Sequence, residues 1–128
     1  MSETRKAALL IVDDDPHVLR AIRHLVRGEG YSAQAFTSCA EAEAELERSK
    51  PALIISDYTL EDGDGITFLC RARELTPEAK TLLMTASTTS KQIQADARAR
   101  GIHAFTEKPW DNRELLSLIA DLLGAKSA

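Results

Sequence analysis

Four short stretches of this chain end in residues that can manage a metal ion and a phosphoryl group. Asp13-Asp14-Asp15, Asp57, Thr85 and Lys108-Pro109 each follow a short apolar run. Neighbouring carboxylates repel one another and need water, a capped backbone or a cation beside them. Hard oxygen ligands of this kind suit Mg²⁺, which takes one or two carboxylates and keeps several waters. A carboxylate held next to such a metal can attack phosphorus as a nucleophile and become an aspartyl phosphate. The transfer then depends on positioning and on positive charge at the oxygens of the moving group. On this reading Asp13 and Asp14 form the metal end and Asp57 the reactive group. Lys108 supplies a second cation and Thr85 a hydroxyl hydrogen bond.

Singly, each residue has a plainer role. Asp15 precedes Pro16 and reads as the cap of a helix that opens on that proline. Asp57 alone suits a turn at a strand end equally well. A strand-end threonine is common, and most lysines are solvated. Lys108 precedes Pro109, which holds it extended and allows either peptide isomer. It is the joint occurrence that favours one pocket.

The elements that must bring these residues together are legible in the hydrophobic pattern. Apolar runs over 7–12, 31–36, 52–56, 81–84 and 102–105 are short and bounded by Gly, Pro, Asp or Ser, as strands are. The first and third are almost wholly apolar, which fits a parallel sheet covered on both faces. Between them, Val18, Leu19, Ile22, Leu25 and Val26 form a helical stripe ending near Gly28. Leu115, Leu116, Ile119, Leu122 and Leu123 form another, opened by Asp111 and followed by Gly124. Ser38 with Glu41 reads as a capping box, and the Ala-Glu alternation over 40–46 as a helix, since both residues are poor strand formers. Residues 90–100 carry Ile93 as their one large apolar side chain, so this helix is expected to dock thinly. Five strands alternating with five helices predict one α/β domain with its strand C-termini along one edge, where such sheets bind ligands.

Composition narrows the rest. A chain of 128 residues fits one domain, here 1–128 with a core of about 7–124. A net charge of −4, with basic residues scattered along the sequence, argues against direct nucleic-acid binding. Cys39 and Cys70 lie far apart with no nearby histidine, which disfavours zinc; Cys70 reads as a small buried hydrophobe. His17, His24 and His103 read as structural or surface residues. No run approaches the roughly 20 apolar residues of a membrane span, so a cytoplasmic location without membrane contact is expected.

These motifs, in this order over about residues 7–124, closely resemble the receiver domain of two-component response regulators. Leu10 to Asp15 resembles the acidic pocket, Asp57 the phospho-acceptor and Asp64-Gly65 the Asp-Gly that follows it. Met84-Thr85-Ala86 resembles the switch hydroxyl segment, Lys108-Pro109 the invariant lysine with its proline, and Phe105 the switch aromatic. The resemblance implies a three-layer (βα)₅ flavodoxin-like fold with strand order 2-1-3-4-5, the order known for the chemotaxis receiver. It also implies Mg²⁺, or Mn²⁺, held by Asp14, Asp57 and the backbone carbonyl of Thr59, with Asp13 acting through water. The implied partners are a sensor histidine kinase or histidine phosphotransfer protein, and an output domain, effector or second copy meeting the fourth helix, fifth strand and fifth helix. Such a domain is no enzyme beyond catalysing its own phosphorylation and dephosphorylation.

Departures from the family pattern are local. Glu61 stands where many relatives have proline, which predicts a more acidic and more mobile loop over 60–65. Thr59 and Ser87 occupy positions that tune the lifetime of the phosphoryl group. The segment 107–111, with Trp110, resembles receivers joined to larger output modules. Two other classes remain in view. A pseudo-receiver binding module would lack the acceptor, an acid or the lysine, all of which are present. A haloacid-dehalogenase-like phosphatase shares the Asp13-x-Asp15 pattern, but no acidic pair follows Lys108 and Asp57 would be left without a role. A flavodoxin proper would need a phosphate-binding first loop, which three aspartates would repel.

Overall fold

The computed structural model describes residues 7–86 and 91–124. The strands β1 (Ala8–Val12), β2 (Ser32–Phe36), β3 (Leu53–Asp57), β4 (Lys80–Ala86) and β5 (Ala104–Lys108) form one parallel sheet in the order β2-β1-β3-β4-β5. The helices are α1 (Pro16–Arg27), α2 (Cys39–Ser49), α3 (Gly65–Leu75), α4 (Lys91–Ala99) and α5 (Asn112–Leu123). This is the expected flavodoxin-like (βα)₅ fold.

The sheet is covered on both faces because its central strands carry apolar runs, Leu9–Val12 in β1, Leu53–Ile55 in β3 and Leu82–Met84 in β4. Leu9, Ile11, Leu53, Ile55, Leu82 and Met84 point to one side and pack with Leu19, Ile22 and Val26 of α1 and Leu115 and Ile119 of α5. Leu10, Val12, Ile54 and Leu83 point the other way, onto Ala42 and Leu46 of α2, Phe68 and Leu69 of α3 and Ala97 of α4. Asp15 caps α1 by accepting from the His17 N–H, Ser38 caps α2 through the Glu41 N–H, and Asp111 caps α5 through the Glu114 N–H. These satisfy donors that a helix start leaves open. The contact of α4 is as thin as its sequence suggests: Ala97 is buried and Ile93 half-buried. The expected start of that helix at Ser90 lies outside the described residues.

Several features differ from the sequence reading. The fifth strand begins at Ala104 and runs to Lys108, later than the apolar run over 102–105. It is an edge strand whose tail, Phe-Thr-Glu-Lys, is half solvated, so hydrophobicity marks it poorly, and Ile102 is buried in the turn before it. A two-residue antiparallel ribbon, Thr59–Leu60 with Gly63–Asp64, follows β3 and carries no alternating pattern. The acidic loop, expected to be more mobile, has two anchors that the sequence did not announce. Asp62 accepts from the N–H groups of Cys39 and Ala40 at 3.0 and 3.2 Å, and Asp64 caps α3 through Thr67 N–H at 2.9 Å. Cys39 and Cys70 are both free, and Cys70, read as a small buried hydrophobe, is half-buried and packs against the core. Although the basic residues are scattered along the sequence, Arg20, Arg23, His24 and Arg27 share the exposed side of α1.

His103, read from the sequence as a structural or surface residue, ties two strands together. Its Nδ1 accepts from the Thr81 N–H at 3.0 Å, and its own N–H donates to Thr81 Oγ1 at 3.1 Å, tying the start of β4 to the approach to β5. Burial, with the charges of Lys80 and Arg73, holds the imidazole below its ordinary value of 6.5. The folded state thus binds fewer protons than the unfolded chain below that value, so stability is lost as pH falls through it. Urea midpoints at pH 7 and pH 5.5 are expected to differ more for the native chain than for His103→Gln. Equal differences would contradict this.

Candidate functional site

Parallel register carries the chemistry to one edge. Asp57 is the last residue of β3, pairing with Met84 of β4, while Ala86 pairs with Lys108, the last residue of β5. Asp13 follows β1 directly, and its N–H donates to Phe36 O at 3.1 Å. Carboxylate oxygens of Asp13, Asp14 and Asp57 all lie within 4.8 Å of one another. Lys108 Nζ reaches into this group, donating to Asp13 Oδ2 at 2.8 Å and sitting 3.3 Å from Asp57 Oδ1. The Lys108–Pro109 peptide is cis.

Each acid has a distinct environment. Asp13 is fully buried and uses its other oxygen to accept the Asp15 N–H at 2.9 Å. Asp14 is half-buried and has no hydrogen-bond partner among the described residues. Asp15 is exposed, and its hydrogen bond from the His17 N–H lowers its pKa, consistent with a cap rather than a ligand. Asp57 is half-buried, and burial followed by the charge of Asp13 raises its pKa against the opposing pull of Lys108. For Lys108, burial works against the charged form, but the hydrogen bond and charge of Asp13, then of Asp57, outweigh it and raise the pKa. The ammonium therefore stays charged and partly neutralises two carboxylates.

Three carboxylates against one ammonium leave the pocket anionic, and its donors are all hard oxygens. That set fits a small divalent cation such as Mg²⁺, with Asp14 and Asp57 as accessible ligands. Cys39, the nearest thiol to the loop, offers no soft alternative: burial and the Asp62 carboxylate push it up to about 12. If like-charge repulsion dominates the metal-free pocket, Asp14→Asn should stabilise the protein by about 1 kcal/mol without metal. The same variant should lose most of the thermal stabilisation that Mg²⁺ gives the native chain. Calorimetry with and without Mg²⁺ checks both, and a destabilised Mg²⁺-free variant would contradict the repulsion.

Thr85 is buried in β4, one residue beyond the partner of Asp57, and its hydroxyl donates to Thr106 O of β5 at 3.5 Å. The structure thus brings Asp13, Asp14, Asp57 and Lys108 into contact and leaves Thr85 turned toward β5. Thr59 is exposed at the start of the ribbon, two residues past Asp57, and Ser87 lies outside the described residues. Phe105 is half-buried, and the guanidinium of Arg98 in α4 stands 5.1 Å from its ring centroid. That cation–π contact, like the Asp62 cap, escaped the sequence because its partners meet only through the tertiary fold. Gly65, the first residue of α3, has the closest packing of the site. Its N–H donates to Tyr58 O at 2.7 Å, and a Cβ there would meet the Asp57 carbonyl.

Comparison with known proteins agrees with this geometry. The family model for the response regulator receiver domain matches residues 9–120. The transcriptional regulatory protein GlrR of Escherichia coli is 33% identical over 119 residues, covering 93% of this chain and 27% of that protein. An uncharacterised 14.6 kDa protein of Leptolyngbya boryana is 34% identical over 114 residues, covering 87% of this chain and 86% of that one. Among solved structures, a CheY-like response regulator receiver domain protein from Methanospirillum hungatei superposes with a TM-score of 0.87. It is 28% identical, with 94% of this chain and 96% of that chain covered. The chain spans about a quarter of the length of GlrR. With the site geometry and a match over most of its length, this chain belongs to the receiver-domain family of two-component response regulators.

Proposed function

We propose that the chain is a single receiver domain that accepts a phosphoryl group on Asp57 from a sensor histidine kinase or a histidine phosphotransfer protein. The observation that carries this reading is the Lys108 ammonium lying between Asp13 and Asp57 at the C-terminal edge of the sheet. A carboxylate oxygen of Asp57 attacks phosphorus, the nitrogen–phosphorus bond of the donor breaks, and the freed imidazole nitrogen keeps the electron pair. Burial strips part of the water from Asp57, and Lys108 offsets the negative charge that gathers on the phosphoryl oxygens. Asp14, Asp57 and the carbonyl of Thr59 would hold Mg²⁺, or Mn²⁺ in its place, with Asp13 joined through water. That ion supplies further charge neutralisation and helps to align the donor. Attack of water on phosphorus then breaks the bond to Asp57, releases inorganic phosphate and restores the carboxylate. The catalysis is confined to the domain's own modification.

The switch follows from what Thr85 now does. Its hydroxyl bond to Thr106 O is long, and a phosphoryl group on Asp57 offers a charged acceptor instead. Thr85 turns inward, Phe105 follows into the space it leaves, and the Arg98 contact with the ring is broken. The face formed by α4, β5 and α5 changes with it, and α4 is suited to this by its thin apolar contact. GlrR and BasR of Escherichia coli are transcriptional regulatory proteins, of which the chain spans 27% and 51%. We infer that this face signals to an output domain, an effector or a second copy, with no direct contact to nucleic acid or membrane. No helix of the described residues is long and apolar enough to cross a membrane, which suits a cytoplasmic switch.

Phosphoramidate, a small donor with a nitrogen–phosphorus bond, tests the chemistry. Incubation with Mg²⁺ should give a protein-bound phosphorus resonance that hydroxylamine removes, as an acyl phosphate requires. A resonance that survives hydroxylamine would place the group on another side chain.

A further inference from the structure

The exposed face of α1 gathers three arginines and a histidine on one side of a single helix. Arg48, Arg71 and Arg100 pair with acids, Arg73 donates to Arg100 O, and Arg98 covers Phe105. Arg20, Arg23 and Arg27 have no such partner among the described residues, although the chain carries 20 acidic residues and a net charge of −4. With His24 they line a groove of about 320 Å³ whose far wall is Ala35 of β2, and Arg23 and Arg27 continue into a second of about 220 Å³ against Ala33.

That far wall is an open sheet edge. Among the described residues β2 pairs with β1 only, and Phe36 O is turned toward β1, where it accepts the Asp13 N–H. Backbone groups alternate along a strand, so the N–H and C=O of Ala33 and Ala35 point away from the sheet. Edge strands are usually guarded by charge, proline or a bulge. The strand itself, Ser-Ala-Gln-Ala-Phe, has none of these, and its alanines leave room beside α1.

We propose that this groove is a docking site for an acidic, extended segment of a partner protein, which adds to the sheet beside β2 and lays its carboxylates on Arg20, Arg23 and Arg27. The spacings match. Four residues of helix, Arg23 to Arg27, rise about 6 Å, and two residues of strand advance about 6.6 Å, so alternate acids of an added strand meet Arg23 and Arg27, with Arg20 about 4.5 Å further along the helix. Main-chain bonds to Ala33 and Ala35 supply affinity and the arginines supply selectivity, as in other strand-addition complexes. The occupant is not a second copy joined edge to edge, because that pairing sets one arginine row against another. The site lies apart from Asp57 and does not depend on its phosphorylation.

A ten-residue peptide of alternating Glu and Thr is the probe, titrated into the intact chain without Mg²⁺ and followed by amide NMR. The expected result is shifted Ala33 and Ala35 resonances, slowed hydrogen exchange at both, and affinity that falls with added salt. The double variant Arg23→Glu/Arg27→Glu should weaken binding at least tenfold with an unchanged melting temperature. Ala35→Pro removes an outward N–H that an edge strand can spare and should weaken binding with the arginines intact. Absence of binding at millimolar peptide overturns the proposal. So do shifts confined to α1 with β2 exchange unchanged, as an acidic helix or a nucleic-acid backbone would give, or equal affinity in the double variant.

Discussion

Replacing Gly65 with alanine is expected to cost the domain about 3 kcal/mol, near the upper end for forced overpacking, and to slow modification of Asp57 at least tenfold. A Cβ at this position would run into the backbone carbonyl of Asp57 and stand 2.8 Å from Leu83 Cδ1. Neither neighbour can yield cheaply. The carbonyl belongs to the last residue of β3, and Leu83 is a fully buried core residue of β4. Relief must come from moving α3 away, which also strains the 2.7 Å bond from Gly65 N–H to Tyr58 O. Because the clash falls on the backbone of Asp57 itself, whatever strain the shift of α3 does not relieve is felt at the reacting group, where small misplacements carry large rate penalties. Gly28→Ala is the control. The nearest atoms to its added Cβ are 3.5 Å away, so its urea midpoint should barely move. Equal effects at the two glycines would show that the packing around Asp57 is not the cause.

Lys108→Met should be as damaging for a different reason. Asp13 is fully buried, and its Oδ2 is held by Lys108 at 2.8 Å. Removing one partner of a buried ion pair leaves an uncompensated charge and typically costs about 3 kcal/mol. Asp57 loses its neighbour at 3.3 Å at the same time. Added Mg²⁺ should restore part of the lost stability, because a divalent ion can answer the same carboxylates. The rate of phosphorylation should not be restored, falling about 100-fold as it does when a preorganised charge stabiliser is lost. Full recovery of the rate by Mg²⁺ would show that the ammonium contributes to folding alone.

Much of this arrangement could be read from the chain because strand alternation and strand-end chemistry are local signals. The runs over 7–12 and 52–56 are apolar because β1 and β3 are covered on both faces, and the acids that follow them had to meet at one edge. Asp15, Ser38 and Asp111 were legible as caps because a cap acts within its own turn. What stayed hidden depends on contacts across the fold. Asp62 crosses to the first turn of α2, Arg98 reaches Phe105, and the arginines of α1 face a strand edge that no local pattern announces. The apolar run over 102–105 starts earlier than the fifth strand for a related reason: a half-solvated edge strand carries a weak hydrophobic pattern, although Lys108 was expected at the strand's end and is its last residue. Thr85 was legible as a strand-end hydroxyl from its place after an apolar run, but its 3.5 Å contact with Thr106 O depends on the pairing of two strands and could not be read locally.

Intact-mass measurement after incubation with acetyl phosphate tests the role of Asp57 most directly. With Mg²⁺ the native chain should gain the mass of one phosphoryl group. Asp57→Asn should gain none, and chelation of the metal should abolish the gain. A native chain that gains nothing, or an Asp57→Asn variant that gains as much, would contradict the assignment of Asp57 as the acceptor.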